Sequence, residues 1–327
     1  MIGRRKLARS GWRAVLPLTL VAGWLPVGGT RESAAAGDDV PLPLTGRQSV
    51  KANGKRYVID GPQVVPAGAL IKLEPNVHVV GVNGASLDVK GGFRTIGISG
   101  SPVKIENVDF SPTLAPENEV HFDSTDLTGC SFAQAPTASF SGGFTMENAK
   151  FYGGTFAMRI QAGYVKLMSV GFNVDCSIEC VPDKGQPPEV SIRGANLQAL
   201  SLKGSAMATV RLSTLKGTLQ ATGFTSLVVD ACDLSGDLIF AQGTEGSFSK
   251  LQLTKGNLLA GSRLVFQRPV GPKTAMEKVR IDKFYFGTSD GKADLTDKQI
   301  GDRIQDGADD PEVSVKAYWQ NPQERPR

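Results

Sequence analysis

Histidine is almost missing from this chain, with two copies in 327 residues. So small a stock excludes His-rich metal centres and leaves little room for a Ser-His-Asp relay. Cysteine is also scarce. Cys130, Cys176, Cys180 and Cys232 are too few and too scattered for a structural zinc site. Aromatics make up 7% of the chain, and past its first 27 residues no apolar run is long enough for a membrane-spanning helix. A hydrophobic fraction of 40% is too high for a disordered chain, and glycine has no three-residue period, so a collagen-like rod is out. Glycine itself is plentiful: 38 of 327 residues, against roughly 7% in an ordinary protein. That excess argues against a helix-rich fold, because glycine destabilises helix interiors.

Residues 1–36 read as a secretory signal. Arg4, Arg5, Lys6, Arg9 and Arg13 form a basic head, the stretch 14–27 is apolar, and Ala34, Ala35 and Ala36 offer a small-residue cleavage site. The Arg4-Arg5 pair fits a twin-arginine route only in part, so the export route stays open. Cleavage there would take Lys+Arg from 36 to 30 and Asp+Glu from 32 to 31, changing the net charge from +4 to −1. The basicity therefore belongs to the leader, and charge gives no case for nucleic acid or an anionic membrane as partner. The expected location is extracytoplasmic, secreted or periplasmic.

A degenerate frame repeats along the rest of the chain: apolar, any, turn-like, small or apolar, any, then Phe, Leu, Val or Ile. It begins at Val77, Ile105, Leu127, Met146, Leu167, Ile192, Val210, Val229, Phe248 and Met276. Its fourth position falls at 80, 108, 130, 149, 170, 195, 213, 232, 251 and 279, mostly about 20 residues apart. Helical repeats of ~33–47 residues and propeller blades of ~40–50 do not fit, and the leucine-rich pattern lacks its Asn. The spacing suits one turn of a parallel β-solenoid; a β-sandwich is the alternative. Positions four and six alternate with polar residues, as in a strand with one buried face. Position one lies at an odd distance, so the chain must bend at position three. Asn107, Gly129, Asn148, Ser169 and Gly194 occupy that place, and Asn and Gly tolerate a left-handed backbone. Each coil then has a strand, a tight bend and a second strand, followed by a glycine such as Gly153, Gly217 or Gly236. Phe110, Phe132, Phe151, Phe172, Leu197, Leu215 and Leu234 are expected to form one inner column.

The end segments carry a family resemblance. Val65-Pro-Ala-Gly68-Ala-Leu-Ile-Lys-Leu-Glu74-Pro75-Asn76-Val77 resembles the V-P-A-G-x-x-L-x-I-E-P-G-V segment that opens many exported bacterial β-helices, with Asn76 in place of Gly. Phe286-Gly287-Thr288 and Ile304-Gln-Asp306-Gly307-Ala-Asp309-Asp310-Pro311 resemble a family ending with W-G-T and I-x-D-G-x-D-D-P. The chain thus resembles the right-handed parallel β-helix proteins of the pectate-lyase-like superfamily. The resemblance implies a right-handed β-helix of about ten coils and export, but no single activity. The expected organisation is a signal peptide over 1–36, a polar lead-in over 37–54, the β-helix over 55–286, a C-terminal cap over 287–319 and a frayed tail over 320–327. The stretch 294–305 suits a short capping helix, with Leu295, Ile300 and Ile304 as its apolar face.

The residues for chemistry are sparse. His78 and His121 lie in no hydrolase motif. A lyase would need acids for Ca²⁺ and a Lys or Arg base. The nearest arrangement is Arg193, Arg211 and Asp230, at the same outward place on three successive coils. Such a trio also reads as a solvated charge ladder. Cys130 and Cys232 share an inward position about five coils apart and cannot bridge, whereas Cys176 and Cys180 could close a small disulfide loop. The expectation is a non-enzymatic binding or structural role outside the cell, toward polysaccharide or another surface protein. No cofactor is expected. A polysaccharide lyase or glycosidase is the alternative, and only under it would Ca²⁺ enter.

Overall fold

Short strands with alternating burial wind into an all-β parallel solenoid with almost no helix. A computed structural model describes residues 39–113, 118–133, 140–182, 187–204, 206–223, 226–241, 250–258, 261–267, 280–282, 284–287, 296–305 and 318–319. The expected signal and tail segments lie outside the described residues.

Each full turn contributes to three walls, not two. In the first wall Val50, Leu73, Thr95, Phe122, Met146, Leu167, Ile192, Val210, Val229 and Leu253 stand in register. The second wall stacks Val79, Ile105, Leu127, Phe151 and Phe172, and continues through Leu197, Leu215, Leu234, Leu258 and Phe286. The third stacks Leu87, Phe110, Phe132, Phe156, Cys176, Leu200, Leu219, Leu238 and Leu264. All of these are buried. Each large side chain among them contributes roughly 1.5–3 kcal/mol by leaving water.

The expected single aromatic column is two columns. Phe110 and Phe132 are register partners in the third wall, while Phe151 and Phe172 are partners in the second. The repeat frame slips by one wall between Phe132 and Met146, because every wall shows the same alternation and the frame carries no mark of which wall it is on. The rings still touch: centroids lie 5.8 Å apart for Phe132–Phe151 and 5.3 Å for Phe151–Phe172. Phe93, Phe122, Phe144 and Phe156 join them in one continuous aromatic core.

The bend residues stand where the frame puts them. Asn107, Gly129, Asn148, Ser169 and Gly194 all have φ between +51° and +63°. Asn76, standing where the resembling family has Gly, also has φ +61°. The bends do not all lie at one corner, however. Asn107 and Gly129 turn the chain from the second wall into the third, whereas Asn148, Ser169 and Gly194 turn it from the first into the second. Cys130 and Cys232 therefore follow different corners and do not share a ladder position.

The expected Cys176–Cys180 disulfide is absent: both are free thiols. They sit at opposite ends of one strand, Cys176–Cys180, both facing inward. Four residues of extended chain span ~13 Å, beyond the reach of a disulfide. The segment is a third-wall strand. Burial pushes the Cys130 thiol up to about 11, and Cys180 and Cys232 up to about 12. These thiols act as small apolar groups.

The solenoid starts earlier than the expected lead-in allows. Arg47–Val50 already pairs with Leu70–Leu73, and Val40–Pro41 with the strand starting at Arg56. At the other end the helix is shorter than expected, Asp297–Gly301, opened by a capping box between Thr296 and Gln299. Ile300 is buried, and Ile304 belongs to a third-wall strand and not to the helix. Arg303 closes the core here. It donates to the carbonyl oxygens of Ser262, Gly287 and Leu258 at 2.7, 2.8 and 2.9 Å. The Leu258 carbonyl also accepts from the Gly287 N–H at 3.2 Å, so Arg303 adds a second bond there and satisfies the carbonyls of Ser262 and Gly287.

Candidate functional site

Side chains that face out on a parallel solenoid form rows, so residues far apart in sequence meet across neighbouring turns. Around Glu119 on the first wall, four turns converge. Its carboxylate accepts from Arg94 at 3.0 Å, Thr145 at 3.2 Å and the Tyr164 hydroxyl at 3.2 Å. Arg94 comes from the turn before Glu119; Thr145 and Tyr164 come from the two turns after it.

Gly143 makes the long reach feasible. It is the register partner of both Glu119 and Tyr164. With no side chain of its own, it lets the Tyr164 ring lie across the intervening strand. A β-carbon there would fall 2.6 Å from the ring carbon that bears the hydroxyl. The Lys166 ammonium sits 4.2 Å from the ring centroid, within cation–π range. His121 lies in the same wall as the partner of Arg94 and Thr145, with its Nε2 4.0 Å from a Glu147 oxygen.

This arrangement holds a partly buried aromatic ring across the wall, with an ammonium over it and an arginine, a hydroxyl and a carboxylate at its edge. Partial burial, and then the Glu119 charge, push the Tyr164 phenol above its ordinary value. It therefore keeps its proton, which suits a hydrogen-bond donor and not a base.

The trio expected from the sequence does stack. Arg193, Arg211 and Asp230 are register partners on successive strands of the first wall. Arg211 lies 3.7 Å from Asp230, and Thr254 donates to the other Asp230 oxygen at 2.6 Å. One carboxylate with an arginine beside it is a poor donor set for Ca²⁺, which takes six or more oxygens. His78 pairs with Glu106 at 3.1 Å on the second wall. Among the described residues, no three His, Cys, Asp or Glu side chains gather as a metal site.

Sequence reading missed Arg94, Glu119, Gly143 and Tyr164. Their only sequence signal is equal offset from the inward first-wall residues: Glu119, Gly143 and Tyr164 each precede by three a core residue, Phe122, Met146 and Leu167. That signal appears only once the walls are told apart.

The fold and this outer face define a parallel β-solenoid protein with an aromatic, hydrogen-bonding patch on one wall. Comparison with family models, curated proteins and solved structures finds no match to this chain.

Proposed function

We propose that the chain is an exported β-helix protein of the pectate-lyase-like kind, and that its outer wall binds carbohydrate without transforming it. The observation that carries the binding reading is the Tyr164 ring reaching across Gly143, with Lys166 over it and Arg94, Thr145 and Glu119 at its hydroxyl end. The exposed part of the ring suits the apolar C–H groups of a sugar, and the Lys166 ammonium with the polar groups at the ring's edge suits hydroxyls or a carboxylate. Two features favour binding over turnover: the raised Tyr164 phenol is a poor base, and Arg94 is already paired with Glu119. Export rests on the leader-like residues 1–36, and the kinship on the two end segments and the solenoid itself.

The test is retardation in affinity gels cast with acidic and with neutral polysaccharides. The wild-type protein is expected to be retarded, and Tyr164→Ala to migrate as in a gel without polysaccharide. Gly143→Ala is expected to lift the ring off the wall, with the same loss of retardation and a stability change of only ~1 kcal/mol, the worth of one hydrogen bond. Migration unchanged by any polysaccharide would defeat the reading. Release of unsaturated uronates, with or without Ca²⁺, would replace it with the lyase alternative. Export predicts a mature chain that begins at Gly37, read by intact mass.

A further inference from the structure

The corner between the first and second walls changes abruptly in length. In one turn residues 97–102 form a hairpin, in which Ile98 and Ser101 exchange backbone hydrogen bonds of 3.3 and 2.9 Å. The next two turns make the same corner through single left-handed residues, Ser124 and Asn148. The hairpin therefore overhangs the turns that follow. Beneath it lies a cleft of about 620 Å³, lined by Ile98, Pro102, Ser124, Asp126, Asn148 and Lys150 among others. That volume suits a small molecule.

The floor of the cleft carries one charge of each sign. Asp126 and Lys150 are register partners on adjacent second-wall strands. Among the described residues, neither has an ion-pair partner within 4.0 Å. Lys104, the other neighbour of Asp126 in this row, does not line the cleft. The Ser124 hydroxyl and the Asn148 amide both donate to Asp123, at 3.0 and 3.5 Å. Above the floor, Ile98 is 55% exposed, a large apolar side chain facing water on the overhanging loop.

We propose that this cleft binds a small zwitterion, an α-amino acid with an apolar side chain. Its carboxylate takes Lys150, its ammonium takes Asp126, and its side chain covers Ile98 and Pro102. A ligand of one sign would match one protein charge and meet a like charge at the other. A neutral ligand would match neither. This inference does not rest on the carbohydrate reading, since it concerns a different corner and different residues.

The probe is L-leucine, followed by saturation-transfer NMR and titration calorimetry on the intact protein. Two analogues serve as controls: 4-methylpentanoate, which lacks the ammonium, and 3-methylbutylamine, which lacks the carboxylate. Leucine is expected to bind, and both analogues to bind at least about tenfold more weakly. Asp126→Asn and Lys150→Met should each weaken leucine by about tenfold or more. Both side chains face outward, so circular dichroism should stay unchanged in these variants. Absence of leucine binding, equal binding of the single-charge analogues, or indifference to both substitutions would overturn the proposal. So would a preference for glucuronate over leucine, which would mark the cleft as a sugar subsite.

Discussion

The early turns of the solenoid and the later ones solve the same bending problem at different corners. In the early turns a single left-handed residue makes the corner between the second and third walls, as at Asn107, while the corner between the first and second walls is longer, over 74–77 and 97–102. From Ser169 onward such a residue joins the first and second walls, at Ser169, Gly194, Leu212, Ala231 and Lys255. The turns between carry both bends, Ser124 with Gly129 and Asn148 with Gly153. The cores differ too. Phenylalanines fill the early interior, from Phe93 to Phe172, whereas leucine and valine dominate from Leu197 to Leu258. What stays constant is like stacking on like at each wall. Register is strict because a one-residue slip would turn every buried side chain outward. The position of the bend is free, because any corner can host a left-handed residue. Both candidate sites lie where the bend changes corner. The cleft exists because a long corner loop precedes two short ones, and Gly143 admits Tyr164 in the same turns.

The largest expected effect tests the two cores against each other. Phe132→Ala should cost ~4 kcal/mol and Leu215→Ala ~3 kcal/mol, read by denaturant unfolding. The excess at Phe132 reflects its ring contacts with Phe110, Phe144 and Phe156, since aromatic pairs add roughly 0.5–1.5 kcal/mol beyond burial. Equal losses would mean that the aromatic stack adds nothing to an aliphatic one.

A smaller effect separates the two kinds of bend. Gly129 has φ +63°, and a β-carbon there would lie 2.5 Å from the Asn107 side-chain oxygen. Gly129→Ala should therefore destabilise by ~1–2 kcal/mol. Leu212 adopts φ +51° with its side chain exposed. Leu212→Gly should raise the melting temperature, relieving ~1 kcal/mol of strain. Opposite signs would confirm that both positions favour glycine, and that Leu212 holds strain which Gly129 and Gly194 avoid. A fall in melting temperature for Leu212→Gly would refute this.

The smallest effect concerns the later turns alone. Asp237 is held below the usual carboxylate range, chiefly by hydrogen bonds from Arg263 at 2.7 and 3.2 Å. A carboxylate with a depressed value contributes stability above its unfolded pKa and loses it as pH falls through the folded one. Because Arg263 is exposed and solvent screens the pair, Asp237→Asn should cost under about 1 kcal/mol at neutral pH. The gap from wild type should close on acidification below the ordinary Asp range. A gap that persists in acid would show that the side chain acts by packing and not by charge.

Much of the fold was legible without coordinates. Period-two alternation, a repeat near 20 residues and Asn or Gly at the bends led to a parallel solenoid, and Asn107, Asn148 and Gly194 do take the left-handed backbone. The wall assignment was not legible. Phe132 and Phe151 look equivalent in the chain, yet they belong to different walls. Cys176 and Cys180 looked like the ends of a small loop, yet they lie along one strand.

The order of apolar, polar and turn-forming residues determined that this polypeptide coils, because alternation and left-handed bends are local properties of a few neighbouring residues. Which outward side chains meet was decided only in three dimensions. Glu119 and Tyr164 are 45 residues apart, and their contact depends on how many residues each intervening corner consumes. That number sets the vertical register, and no local pattern encodes it.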